Sequence, residues 1–187
     1  MIAEKSVGPV WLLVLSLMLF GGSHAASARD WRPPKPEAAA IKYTQILDHR
    51  SPREHVMVWW IAPENLGASQ GAEPARKVLR EYLVVGVVHQ DMSEMGTPSF
   101  RPISGVQIKT AEGTIVKPLA EADVPPAAAG LVAVIRNMYT QILGPLGQGM
   151  HWLTFKNNGI DSCKSGRFWV LYAGEQYDYE TPIPGCE

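Results

Sequence analysis

The chain has 187 residues, with 17 Lys+Arg against 18 Asp+Glu, 46% hydrophobic residues and 19% charged ones. That apolar share excludes a disordered chain, and a net charge of −1 lacks the basic footprint of a nucleic-acid binder, so no nucleic-acid partner is expected. Two cysteines exclude a disulfide-dense miniprotein and a four-cysteine zinc site, and no Gly-X-Y period or heptad series points to collagen or a coiled coil.

Residues 1–25 read as a secretory signal peptide. Lys5 gives a weakly basic start, residues 10–20 form an uncharged apolar run, and Gly21-Gly22 closes it before the small-residue patterns Ser23-His24-Ala25 and Ala26-Ser27-Ala28. The run is short for a membrane span, which needs roughly 17–25 residues. Glu4 beside Lys5 dilutes the charge signal. An uncleaved anchor is the competing reading, and only then is the membrane a partner. Cleavage after Ala25 leaves a chain long enough for one domain that buries roughly 70% of its unfolded surface. The expected location is periplasmic or extracellular. Such compartments are oxidising, so Cys163 and Cys186 are expected to form a disulfide that stabilises by about 3 kcal/mol and pins the Pro-rich tail.

Residues 26–36 read as a tether, because Arg32-Pro33-Pro34-Lys35-Pro36 favours extended polyproline geometry. A single domain is expected over 37–187. Residues 37–47 lean towards a short helix on Ala38, Ala39 and Ala40. Residues 55–62 are β-branched and aromatic on both faces, as a central strand would be, and Pro63 ends them. Residues 67–72 are small and polar, hence a loop. Residues 82–89 form a second buried strand, and 92–105 an irregular connection. Residues 106–109 and 114–119 read as a hairpin turning at Glu112-Gly113.

One segment breaks the strand rhythm. Asp123 is placed to cap a helix over about 125–143, in which Leu131, Val134, Ile135, Met138 and Ile142 recur at spacings of three and four before Gly144-Pro145 stops it. Residues 150–155, 168–172 and 175–181 supply further strands, with turns at Asn157-Asn158-Gly159 and Gly174. Without strand–helix alternation the expected class is mainly β. It is an antiparallel β-sandwich of immunoglobulin-like build, with the one helix packed on an edge or end.

The densest polar cluster runs Asp48, His49, Arg50, Ser51, Pro52, Arg53, Glu54, His55, immediately before the most apolar strand. Arg50 and Arg53 suit a fork for carboxylate or phosphate, and His49 or His55 an acid or base near neutral pH. The plain alternative is a turn whose arginines pair with Asp48 and Glu54, each surface pair contributing about 0–1 kcal/mol. His89 and Asp91, at the end of the second strand, complete the candidate binding set if this turn meets the 92–105 connection.

A metal set is a second possibility. Alternation puts His55 and Met57 on one face of a strand, and His89, Met92, Met95 and His151 add imidazoles and thioethers that suit copper, especially Cu(I). Methionine is also a routine core filler. Gly67-Ala68-Ser69-Gln70-Gly71 has the letters of a nucleophile elbow without its strand-to-helix context. The glycine-rich run from Gly144 to Gly149 follows its helix, whereas phosphate cradles precede one. Adjacent Trp59 and Trp60 face opposite sides of a regular strand, and an outward one would mark a binding surface.

The reading that follows is an exported, non-catalytic binding or accessory domain for a protein or small-molecule ligand, with no cofactor. The first alternative is an exported hydrolase using His and carboxylates, for which a histidine must meet a carboxylate beside a pocket. The second is a copper-binding protein.

Overall fold

The computed structural model describes residues 30–31, 44–66 and 70–186. Two sheets face each other. One is a meander of β2 (Gln45–Ser51), β3 (Glu54–Ile61) and β4 (Tyr82–Met92), whose far edge is shared by β5 (Pro98–Phe100) and β8 (His151–Lys156). The other has the order β1 (Asp30–Trp31), β10 (Glu175–Thr181), β9 (Gly166–Tyr172), β6 (Gln107–Thr110), β7 (Ile115–Val116). All pairs are antiparallel except β1–β10. The mainly β, two-sheet architecture read from the sequence is therefore present. Asp30–Trp31, inside the expected tether, joins a sheet, while 26–29 and 32–36 lie outside the described residues, as do the leader and Gly67–Ser69 of the elbow-like motif.

Strand alternation builds the core. Ile46, Val56, Val58, Trp60, Leu83, Val85 and Val87 point inward from one sheet and meet Ile108, Phe168, Val170, Tyr177 and Tyr179 of the other. Trp60 sits edge-on to Phe168 at 4.9 Å. The opposite face of the β3–β4 sheet is also apolar and carries a third layer, helix α2 (Pro126–Leu143), which α3 (Pro145–Gln148) follows after Gly144. Tyr139 of α2 fits edge-on between Trp59, 4.5 Å away, and Trp152, 4.9 Å away. Both tryptophans of the pair are thus buried, Trp59 under the helix, and neither marks a binding surface. Gly86 makes this layer fit, because a Cβ there would lie 2.7 Å from the Trp152 ring.

Four expectations need correction. The helix lies over a sheet face, because β3 and β4 are apolar on both sides and the second sheet covers only one of them. Its buried stripe is Ala128, Val132, Ile135 and Tyr139, whereas Val134, Met138 and Ile142 are exposed. The helix carries two apolar stripes, and the one bearing Tyr139 is held by the tryptophans. Its N-cap is Pro125, with Asp123 closing a separate 3-10 turn. Residues 45–47, placed at the end of an expected helix, form a strand, because Ile46 and Asp48 alternate inward with Leu47 and His49 outward opposite β3; residues 37–43 lie outside the described residues. The sequence reading also lacked helix α1 (Glu73–Glu81). It buries Leu79 beside half-buried Ala75 and Val78 on a short amphipathic face, with Pro74 near its start and Glu73–Arg76 and Glu73–Arg80 pairs on the polar side.

Cys163 and Cys186 are joined, tying the tail after β10 to the loop between β8 and β9. Among the described residues no helix is long and apolar enough to cross a membrane.

Candidate functional site

One end of the sandwich gathers the polar residues singled out above. The β2–β3 turn sits beside the outgoing end of β4, since Glu54 pairs with Asp91, His55 with Gln90 and Val56 with His89. The 92–105 connection folds back onto the same end: Met92 N–H donates to the Arg53 carbonyl at 2.7 Å and Arg101 N–H to the His89 carbonyl at 2.9 Å. The turn and the connection therefore meet. Alternation then divides their side chains between the two faces of the sheet.

The inward set forms two hydrogen-bonded clusters that cross between the sheets. In the first, Arg50 Nε donates to Asp48 Oδ2 at 3.0 Å and its Nη2 donates to the Tyr177 hydroxyl at 2.8 Å. That hydroxyl in turn donates to Asp48 Oδ2 at 3.0 Å. Asp48 is fully buried. Burial pulls the Arg50 pKa down, but the bonds to Tyr177 and Asp48 outweigh it and the net shift is upward. Burial pushes the Tyr177 hydroxyl well above the ordinary phenol range, so it serves as a neutral donor.

In the second cluster, His89 Nε2 lies 2.8 Å from Glu54 Oε1 and Nδ1 lies 3.0 Å from the Tyr172 hydroxyl. An ionised carboxylate only accepts, so Nε2 carries a proton and a neutral ring accepts from Tyr172 through Nδ1. Arg101 closes the group, with Nη1 3.3 Å from Glu54 and a fork onto Asp91 at 2.6 and 2.7 Å. That fork holds the Asp91 carboxyl below the ordinary 3.8. Outside both clusters, exposed Arg53 pairs with exposed Glu94 at 3.0 Å.

His89 is only 3% exposed, with the Tyr172 ring edge-on at 5.8 Å, and both its nitrogens are engaged. A cleft of about 720 Å³ opens at the opposite end of the sandwich between Trp60, Leu83, Thr110, Asn157, Arg167 and Thr181, and no histidine lines it. A more open hollow of about 480 Å³ near the β9–β10 turn touches Tyr172 but not His89. The bonding geometry, rather than that cleft, defines the candidate site, because the ion pair on the cleft's lining, Asp161–Lys164 at 3.0 Å, is exposed and no histidine joins it.

The outward set is different. His49 and His55 meet across the hairpin, Nδ1 to Nδ1 at 2.8 Å. His55 and Met57 do share a face, but the proposed copper set does not assemble. His89 points inward, His151 pairs with inward-facing Val87, and Met95 is 94% exposed. Glu64, Cys163 and Cys186 also lie close together, but both sulfurs are spent in the disulfide.

Sequence reasoning missed Arg101, Tyr172 and Tyr177. The two tyrosines belong to an inward alternation with Val170 and Tyr179, which was visible, but their partners lie far away in sequence.

No protein-family model and no curated protein matches the chain. A crystal structure of a DUF4426 family protein from Pseudomonas aeruginosa PAO1 is similar at 10% identity and a TM-score of 0.33, covering 74% of this chain and 94% of that one.

Proposed function

We propose that the chain is an exported, non-catalytic binding domain that presents the β2–β3 turn and the 92–105 connection as its recognition end. The observation that carries this reading is the state of His89: nearly sealed, with one nitrogen on Glu54 and the other on Tyr172. A general base needs a free lone pair within reach of a substrate. Here the pair is used to hold the two sheets together. Asp48, Arg50 and Tyr177 do the same beside it, so the buried polar groups are framework. What this framework displays is a mixed-charge rim of Arg53, Glu94 and Arg101. Such a rim suits a polar partner surface of alternating charge more than a polyanion. The resemblance to an immunoglobulin-like build is proposed in this limited sense: turns at one end of two facing sheets carry recognition.

Export is supported by the leader layout and by the Cys163–Cys186 bond, since disulfides persist in oxidising compartments. The proposed location is periplasmic or extracellular.

The test is photo-cross-linking in the native cells. A photoreactive residue placed at Arg53 is expected to yield a discrete adduct, and one at Asn158, at the far end, none. No adduct from Arg53, or equal adducts from both ends, would overturn the reading. So would hydrolysis of ester, peptide or phosphoester substrates that falls in His89→Gln, which would install the hydrolase instead.

A further inference from the structure

The His49–His55 pair takes no part in the framework or the rim. It lies on the outer face of the hairpin, with His49 exposed and His55 half-buried, as directly facing cross-strand neighbours. We propose that these two imidazoles, at the base of the β2–β3 turn, are a chelating anchor for one divalent transition-metal ion of the Cu(II) type.

Geometry sets the choice of ion. Metal–nitrogen bonds of about 2.0 Å that meet at a right angle place the two nitrogens about 2.8 Å apart, whereas a tetrahedral angle needs about 3.3 Å. The Nδ1 atoms stand 2.8 Å apart, with the rings 84° to one another and their centroids 4.8 Å apart. That spacing matches two adjacent positions of a tetragonal Cu(II) centre. The backbone already fixes the pair: the ladder runs in register at His49–His55 and shifts only beyond it, at Ser51. Little ordering therefore remains to be done on binding. The Nδ1–Nδ1 contact needs one proton between the rings, and on binding that proton moves to the Nε2 of its own ring, so that both Nδ1 lone pairs face the ion. Met57 shares the outer face with His55 and accepts from Gln45, while Met92 accepts from Gln90. Two imidazoles presented at that spacing suit borderline divalent ions. The exposed side of His49 leaves the remaining positions to water.

The experiment titrates the tag-free full-length exported chain with copper(II) chloride, followed by calorimetry and electron paramagnetic resonance. One ion per chain is expected, with a tetragonal spectrum split by two nitrogens. His49→Ala and His55→Ala are each expected to weaken binding about a hundredfold, as loss of one of two tethered ligands does. His151→Ala is expected to change nothing. Because His49 is exposed, its alanine variant keeps the fold, and a melting curve matched to the parent verifies that the loss is read on folded protein. No Cu(II) uptake by the parent chain, or uptake that survives either alanine variant, would overturn the proposal.

Discussion

Arg50→Met would leave the fully buried Asp48 with the Tyr177 hydroxyl as its one remaining donor among those described. Breaking a buried ion pair from one side costs about 3–5 kcal/mol, and a lower urea midpoint at unchanged slope is the expected signature. The double variant Asp48→Asn, Arg50→Met is expected to recover part of that loss, because the uncompensated charge is gone; equal losses in single and double variants would remove the framework role. Asp91 behaves differently, since its fork with Arg101 is exposed. Its folded pKa is depressed, so its contribution is complete above 3.8 and disappears as pH falls through the lower folded value. Asp91→Asn is expected to lower stability by at most about 1 kcal/mol at pH 6 and to show a flatter acid limb below pH 3.8 in urea titrations. These residues were legible as a group because Asp48 to His55 is contiguous and strand register brings His89 and Asp91 alongside. Arg101, Tyr172 and Tyr177 were not, because only the folded pairing of distant segments supplies their partners.

At the scale of elements, strands 54–61 and 82–92 announced themselves through unbroken β-branched and aromatic runs. The same runs concealed the layer order, since apolarity on both faces fits either a central strand between sheets or a strand between a sheet and a helix. Helix α2 poses the reverse problem: its composition allows two stripes, and packing against Trp59 and Trp152 selects one. Ile135→Ala is therefore expected to cost about 2–5 kcal/mol, and Val134→Lys to stay within about 0.5 kcal/mol of the parent. Chemical denaturation of the two variants decides between the stripes, and the opposite ranking would reverse the packing described. Helix α1 was missed because it is short: its apolar face holds only Ala75, Val78 and Leu79, too brief a run to stand out from the polar residues around it.

The whole molecule reads as two facing sheets with a helical cover, joined at one end by buried polar clusters and near the tail by one covalent link. The covalent link and the leader layout are the two supports of the proposed life outside the cytosol, where the proposed recognition end would act. Both parts of that account meet in one measurement, the intact mass of the non-reduced protein isolated from its native cells. The account predicts a chain starting at Ala26 and lighter by two hydrogens than its reduced form, with neither cysteine open to alkylation. A chain that keeps its first residues and takes up two alkyl groups would contradict it.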